Sequence, residues 1–183
     1  MKAYLPPNEL WYDVLDNFKL MSKTGQVTIP DSQPNGPPPL HLRGGAIIPM
    51  VSSDNLTTTS SPAFNSLNLV VVPSKSKTAS GDLFWDDRES IDTIENGKYN
   101  LYEFVLNSDC TLELNVAKSG YSSHPHIESI TIANTGVGSV SASVDGKSVS
   151  GSSSNGVTLL NVKLDLNKKY KIEFKSGGKC NLL

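Results

Sequence analysis

The sequence has little of several features that define large protein classes. No apolar run approaches the roughly 20 residues that span a bilayer, and residues 1–4 are not followed by the apolar region of a signal peptide. Sixteen basic and eighteen acidic residues give a net charge of −2, which supplies no basic field for nucleic acid or an anionic membrane. Helical periodicity is nearly absent as well. These absences leave an all-β protein as the predicted class.

Cysteine is scarce, with only Cys110 and Cys180 in the chain. The two thiols can pair or stay as two small buried hydrophobic residues, and their spacing does not decide between these alternatives. A disulfide between them would stabilise the fold by about 4 kcal/mol on the chain-entropy account. A glycosylation sequon at Asn55 is relevant only if the protein passes through a secretory lumen.

What the chain does have is a series of short strand patterns separated by Gly, Pro, Asn and Ser. A proline-rich stretch at 30–39 cannot continue a hydrogen-bonded ladder and is predicted to be a surface loop. The Ser/Thr-rich stretch 52–61 is predicted to be a connector. In the first 50 residues, strands are predicted at 2–5, 11–14, 26–29, 40–43 and 46–50.

From residue 65 onward the alternation of apolar and polar residues becomes regular. Residues 67–73 form a continuous apolar strand, and period-two alternation follows at 110–116, 160–166 and 169–175. Such alternation indicates antiparallel sheets with one wet face. Asp145-Gly146 and Asn155-Gly156 are predicted turns, and residues 150–154 a Gly/Ser-rich tip.

The predicted fold is all-β and has two parts. A small antiparallel β-domain over 1–64 is followed by an antiparallel β-sandwich over 65–183. A chain of 183 residues has room for one domain or for two small ones.

Three ordered motifs resemble the C-terminal region of glycoside hydrolase family 31, the α-glucosidase family. Residues 82–92 read Asp-Leu-Phe-Trp-Asp-Asp-Arg-Glu-Ser-Ile-Asp, and Gly-Lys-Tyr follows at 97–99. Residues 39–49 read Pro-Leu-His-Leu-Arg-Gly-Gly-Ala-Ile-Ile-Pro, and residues 3–6 read Ala-Tyr-Leu-Pro before Trp-Tyr-Asp at 11–13. One departure is Arg88, where the family usually has glycine. If that position needs a positive φ, arginine tolerates it poorly and the local turn is expected to differ.

The resemblance implies a non-catalytic C-terminal fragment of a retaining enzyme that hydrolyses terminal α-glucosidic bonds without a cofactor. The family's nucleophile and acid/base lie in an upstream (β/α)₈ barrel, so no catalytic residue can be assigned to this chain. The missing barrel is the implied partner. By the same resemblance the first domain is incomplete, which predicts an open sheet edge and self-association, and the compartment is lumenal: lysosomal, secreted or endoplasmic reticulum.

An acidic stretch lies in the motif at 82–92. Glycosidases use two carboxylates directed at one sugar, but Asp86 and Asp87 are neighbours that would point to opposite faces of a strand. In a turn they are predicted to accept backbone N–H bonds. Together with Glu89 and Asp92 they lack the spacing of an EF-hand loop; an irregular calcium site is the alternative to a solvated loop. No catalytic, cofactor-binding or metal-binding residue is predicted.

The histidines give no stronger signal. His124 and His126 flank a proline and have no third ligand nearby in sequence, so a surface loop is predicted rather than a zinc site. His41 lies between two leucines and is predicted to be a hydrogen-bonded packing residue.

Aromatic residues offer the alternative of sugar binding, because exposed rings present flat apolar faces. Ordinary burial is the competing interpretation, and it is preferred for Trp85, which lies in an apolar run. A free-standing carbohydrate-binding module, with an oligosaccharide as partner, or a structural sandwich is therefore the alternative function. The aromatic candidates are Trp11, Tyr12, Phe84, Trp85, Tyr99, Tyr102 and Tyr121.

Overall fold

Strands make up more than half of the residues that the structure describes. The computed structural model describes residues 2–29, 36–51, 62–133, 135, 140–176, 180 and 182. In these residues the only helical segment is a short 3-10 turn at Pro62–Asn65, and no helix is long and apolar enough to cross a bilayer. The strands are β1 (Lys2–Leu5), β2 (Trp11–Asp13), β3 (Lys19–Leu20), β4 (Gly25–Thr28), β5 (His41–Arg43), β6 (Ala46–Val51), β7 (Ser66–Val72), β8 (Ala79–Trp85), β9 (Asn100–Leu106), β10 (Thr111–Ser119), β11 (His126–Ile132), β12 (Val140–Val144), β13 (Lys147–Val149), β14 (Gly151–Ser154), β15 (Val157–Asp165) and β16 (Tyr170–Ser176).

The predicted all-β class is confirmed. Eleven strands form one sheet in the order β13-β12-β16-β10-β9-β8-β6-β7-β11-β15-β14, mostly antiparallel. The sheet folds over itself, because side chains from its two halves share one apolar core and β12 at one end contacts β14 and β15 at the other. The result is a sandwich that is nearly closed into a barrel.

Alternation along each strand builds this core. On β9, Tyr102 and Phe104 are fully buried, whereas Glu103 between them is exposed. On β10, Leu112 and Leu114 point into the same core. Period-two burial therefore places one face of each strand inside the sandwich and the other in water.

Strand β7 is buried on both faces. Leu69 and Val71 face the sandwich core, while Val70 and Val72 pack against Tyr12 in a second cluster. The strand is hydrogen-bonded to antiparallel β6 on one side and to parallel β11 on the other. This double burial explains why β7 reads as a continuous apolar run in the sequence.

The five strands that precede β6 form two small sheets. Strands β1 and β4 pair antiparallel, and β3, β2 and β5 form a three-stranded sheet. Fully buried Tyr12 joins the second sheet to the sandwich, since its hydroxyl donates a hydrogen bond to the Pro73 carbonyl at 2.8 Å. The predicted strands in this region are all present, and the short β3 is an addition.

The predicted division into 1–64 and 65–183 stays a prediction. Strand β6 lies before that boundary and β7 after it, yet they pair over six residues of each strand. The predicted connector at 52–61 lies outside the described residues, as does the part of the predicted loop at 30–35.

Two predicted hairpin turns are present. Asp145 and Gly146 have φ values of 48° and 80° between β12 and β13, and Asn155 and Gly156 have 51° and 78° between β14 and β15. Positive φ at both central residues is the geometry that matches the twist of antiparallel strands. The predicted tip at 150–154 is wrong, because Gly151–Ser154 forms the edge strand β14 paired with β15. Backbone pairing with β15, which glycine and serine can make without any side-chain alternation, turned that segment into a strand.

The two cysteines form a disulfide. Cys110 precedes β10 and Cys180 lies near the C-terminus, 70 residues away, with their Cα atoms 5.4 Å apart. The Cys110 side chain is buried in the sandwich core. The cross-link therefore ties the end of the chain to the start of a central strand.

Candidate functional site

The acidic loop, residues 86–99, connects β8 to β9. Asp86 Oδ1 accepts the Arg88 N–H at 2.8 Å, and its Oδ2 accepts the Thr93 hydroxyl at 2.9 Å. The loop closes where Lys98 N–H donates to the Thr93 carbonyl at 2.8 Å. The carboxylate of Asp86 is thus used to hold the backbone, as turn capping predicts.

Asp87 is held in the same way. Its carboxylate accepts the Ser90 hydroxyl at 2.6 Å and the N–H groups of Ser90 and Glu89 at 2.9 and 3.1 Å. These hydrogen bonds, with the Ser90 hydroxyl first, lower the pKa of Asp87 to about 2. The group therefore stays ionised and structural at neutral pH.

The remaining carboxylates of the acidic loop do not converge. Asp92 binds the Asn96 side chain at 2.7 Å, and Glu89 points into solvent. Within the described ranges no three His, Cys, Asp or Glu side chains are grouped as metal ligands. The loop also presents two apolar side chains to water, since Ile91 is fully exposed and Ile94 largely so.

Arg88 has the positive φ that a glycine would favour, at 62°. Its guanidinium carbon lies 4.5 Å from the centre of the Phe64 ring and 5.0 Å from that of Trp85. The guanidinium also donates to Asn65 Oδ1 at 3.3 Å. Sequence reasoning identified the departure from glycine but missed these partners, which come from the 3-10 turn and the end of β8.

The Arg-Gly-Gly motif joins three parts of the chain. Gly44 N–H donates to the Leu10 carbonyl and Gly45 N–H to the Val72 carbonyl, at 2.8 and 2.7 Å. A side chain at Gly44 would place its Cβ 2.6 Å from the Pro73 carbonyl oxygen, so only glycine fits this close approach. Arg43 forms an ion pair with Glu9 at 2.9 Å, and both side chains line an open groove of about 570 Å³.

A second groove, of about 510 Å³, lies beside β3 and β4. Its lining is mostly polar and includes the exposed ion pair between Lys19 and Asp16. Leu15, near this groove in sequence, and Leu40 are both about half exposed. Val14, which precedes Leu15, donates its N–H to the Leu40 carbonyl at 3.0 Å, so the backbones of the two leucines lie close together; we call them the leucine pair.

The histidines lie apart. The Tyr102 hydroxyl is 2.8 Å from His124 Nδ1, and burial raises the pKa of Tyr102 to about 12. His126 begins β11, where its Nε2 lies 3.2 Å from Glu128 Oε1. His41 is half-buried at the start of β5.

The candidate aromatic residues separate into buried and exposed groups. Tyr12, Trp85 and Tyr102 are buried, so Trp85 is a core residue as predicted. Phe84 is 41% exposed and stacks on Tyr99, with ring centroids 5.0 Å apart and an interplanar angle of 22°. Among the seven candidates this pair alone forms a ring stack with a large exposed surface.

Trp11 and Tyr121 are intermediate. Trp11 is half-buried against the core of the β1–β4 sheet, and its indole N–H donates to the Pro6 carbonyl at 3.1 Å. Tyr121 packs partly against the sandwich core. Neither ring presents a flat exposed platform.

The fold therefore places the chain in the class of β-sandwich domains with a small antiparallel extension. No protein-family model matches the chain. Sequence relatives do exist: intestinal sucrase-isomaltase of Homo sapiens is 40% identical over 121 residues, which are 66% of this chain and 6% of that protein. Lysosomal alpha-glucosidase of Rattus norvegicus is 40% identical over 83 residues, 44% of this chain and 8% of that protein.

A solved structure shares the fold. The crystal structure of an ER glucosidase II heterodimeric complex matches with a TM-score of 0.67 at 21% identity, covering 96% of this chain and 21% of that chain. The comparisons confirm the resemblance predicted from the three motifs: the relatives of this chain are family 31 α-glucosidases. The chain spans less than a tenth of the length of these two curated relatives.

Proposed function

We propose that the chain is the non-catalytic C-terminal region of a larger family 31 hydrolase and that it supports the catalytic barrel. The parent enzyme would hydrolyse terminal α-glucosidic bonds with retention and without a cofactor. The observation that carries this proposal is the coverage, since two thirds of the chain match only 6% of a human relative. The catalytic carboxylates would then lie upstream, consistent with the structural use of Asp86 and Asp87.

The leucine pair is the proposed contact with the barrel. Leu15 and Leu40 are large, half-exposed apolar residues whose backbones are brought close together by the hydrogen bond from Val14 to Leu40. Exposed apolar groups of this kind favour a protein interface. Burial of two leucines would stabilise the contact by about 2 to 4 kcal/mol.

A lumenal compartment is part of the proposal. The Cys110–Cys180 disulfide favours an oxidising environment. The relatives are named as intestinal, lysosomal and ER proteins. Both observations are consistent with a lysosomal, a secreted or an endoplasmic-reticulum location.

The first test is the size of the endogenous polypeptide that carries this sequence. We expect a product several times longer than 183 residues, with barrel peptides upstream, and α-glucosidase activity on p-nitrophenyl α-glucoside. In that longer polypeptide, Leu15→Asp with Leu40→Asp should lower the yield of active enzyme. Leu159→Asp, at an exposed leucine on β15, is the matched control and should not. An endogenous product of only 183 residues would contradict the proposal.

Self-association is the proposed behaviour of the isolated chain. Among the described residues, β1 and β4 pair only with each other and leave their outer edges free. Free edges are templates for pairing with a second chain. Sedimentation of the purified chain should reveal concentration-dependent dimers, whereas a monodisperse monomer at all concentrations would count against this.

A carbohydrate-binding sandwich is the second candidate function. The exposed Phe84 ring on Tyr99 favours it, because a flat apolar face suits a pyranose ring. Titration of the isolated chain with neutral oligosaccharides tests it. This candidate is compatible with a role in a larger enzyme.

A further inference from the structure

The outer face of β8, β9 and β10 carries a polar row. Asp82 lies directly opposite Glu103, and Glu103 directly opposite Asn115, on three adjacent strands. Adjacent strands are about 4.8 Å apart, so the row extends about 10 Å across the sheet. Asp82 and Glu103 are exposed and Asn115 is half-exposed.

The polar row destabilises the sheet when no ligand is bound to it. Like charges directly opposite on neighbouring strands destabilise a sheet. Across the part of the chain that the structure describes, neither Asp82 nor Glu103 takes part in an ion pair or a side-chain hydrogen bond. Two carboxylates with free acceptor capacity therefore lie side by side at the surface.

A second row, of two apolar residues and a lysine, lies beside the polar row: it is two residues later on β8, two residues earlier on the antiparallel β9, and three residues later on β10, where a bulge adds one residue. Phe84 lies opposite Leu101, and Leu101 opposite Lys118. The two rows are about 7 Å apart. The Phe84 ring is positioned by its stack on Tyr99, whose ring also has the Lys118 ammonium 4.9 Å from its centre. Phe84 thus offers a fixed, partly exposed ring beside free hydrogen-bonding groups.

This combination matches the chemistry of a neutral sugar. A hexopyranose has an apolar face of C–H groups and a rim of hydroxyls. The ring of Phe84 suits the apolar face, while carboxylate and amide groups bind hydroxyls, with the charged acceptors giving the stronger bonds. The two carboxylates would repel anionic glycans.

We infer that the outer face of β8, β9 and β10 binds a neutral hexopyranose oligosaccharide, with Phe84 stacking on one ring and the polar row holding its hydroxyls. The inference rests on the carbohydrate-binding candidate, to which it adds a location and a ligand class. It is independent of whether the chain supports a catalytic barrel. The ligand lies across the strands, because both rows run in that direction.

The test is a ¹H–¹⁵N NMR titration of the 183-residue chain with maltoheptaose, and separately with cellohexaose. Binding of either glucan should shift amide signals of 82–84, 101–103 and 115–118, and not those of the β1–β4 sheet. Phe84→Ala should weaken the affinity about tenfold, which corresponds to 1.4 kcal/mol. Tyr4→Ala, at an exposed tyrosine on β1, is the matched control and should leave the affinity unchanged.

Glu103→Gln provides a second variant that keeps the side-chain shape. It should weaken binding several-fold and also raise thermal stability, because the facing carboxylates no longer repel each other. Absence of shifts with both glucans overturns the inference, as does binding that survives Phe84→Ala and Glu103→Gln. Neither result bears on the proposed support of the catalytic barrel. That proposal is tested by the size and activity of the longer polypeptide.

Discussion

Arg88 occupies a backbone conformation that non-glycine residues rarely adopt, and its side chain offsets that cost. The left-handed region costs such a residue about 1 kcal/mol. Each partly exposed cation–π contact returns about 0.5 to 1 kcal/mol, and Arg88 has two rings within 5.0 Å. The backbone of Arg88 therefore takes a positive φ and the side chain compensates for it, while a difference from the family's turn stays a prediction.

Substitution at Arg88 separates these two effects. Arg88→Ala keeps the unfavourable φ and loses the ring contacts, whereas Arg88→Gly loses the contacts but relieves the backbone. We expect the alanine variant to be less stable than the glycine variant by about 1 kcal/mol, measured by urea unfolding. Equal stability of the alanine variant and the wild-type protein would contradict this balance.

Asp87 makes the free energy of unfolding depend on pH in the acid range. Its pKa is lowered from 3.8 to about 2, chiefly by the Ser90 hydroxyl. A lowered pKa contributes stability that is complete above the unfolded value of 3.8 and is lost as the pH falls through about 2. Ser90→Ala should raise the pKa of Asp87 toward its ordinary value in an NMR titration of the carboxyl carbon. An Asp87 pKa of 3.8 in the wild-type protein would refute the assignment.

At the scale of elements, the crossing from β6 to β8 is a close backbone approach within the sandwich. The two strands meet through a single parallel bridge between Ala46 and Ser80. A side chain at Gly81 would place its Cβ 2.0 Å from the Ile47 carbonyl oxygen, which belongs to the backbone. The approach of the two halves of the sheet therefore needs a glycine here.

Gly81→Ala should push these strands apart. It should lower the free energy of unfolding by about 3 kcal/mol. Gly151→Ala on the edge strand β14 is the matched control, since its Cβ would meet the end of the Leu160 side chain at 2.6 Å, while the nearest backbone oxygen, that of Leu159, is at an ordinary 3.4 Å. We expect the control to change the free energy of unfolding by less than about 1 kcal/mol. Equal effects of the two substitutions in urea unfolding would contradict the role of the crossing.

Most elements were predictable because their signals are local. The alternation around Leu112 and the Asp145-Gly146 turn depend on neighbouring residues, and both are present in the structure. Strand β14 was missed because its Gly/Ser sequence has no alternation, and only pairing with β15 makes it a strand. The polar row was missed because Asp82 and Glu103 meet through register between strands.

For the whole molecule, the disulfide is the main covalent constraint. It joins positions 70 residues apart, so it restricts a large part of the unfolded chain and contributes about 4 kcal/mol. Cys110→Ala with Cys180→Ala should lower Tm by roughly 10 °C. Adding reductant to the wild-type protein should produce a similar decrease. The same Tm for the oxidised and reduced protein would contradict the contribution.

The sequence by itself determined the β class, the positions of most strands and turns, and the family resemblance. These depend on periodicity, on turn residues and on contiguous motifs, all of which are local. Only the tertiary structure decided that Cys110 pairs with Cys180, that β6 shares a sheet with β7, and that Arg88 stacks between rings. Each of these joins residues distant in sequence, and their distances are set by how the two halves of the sheet pack.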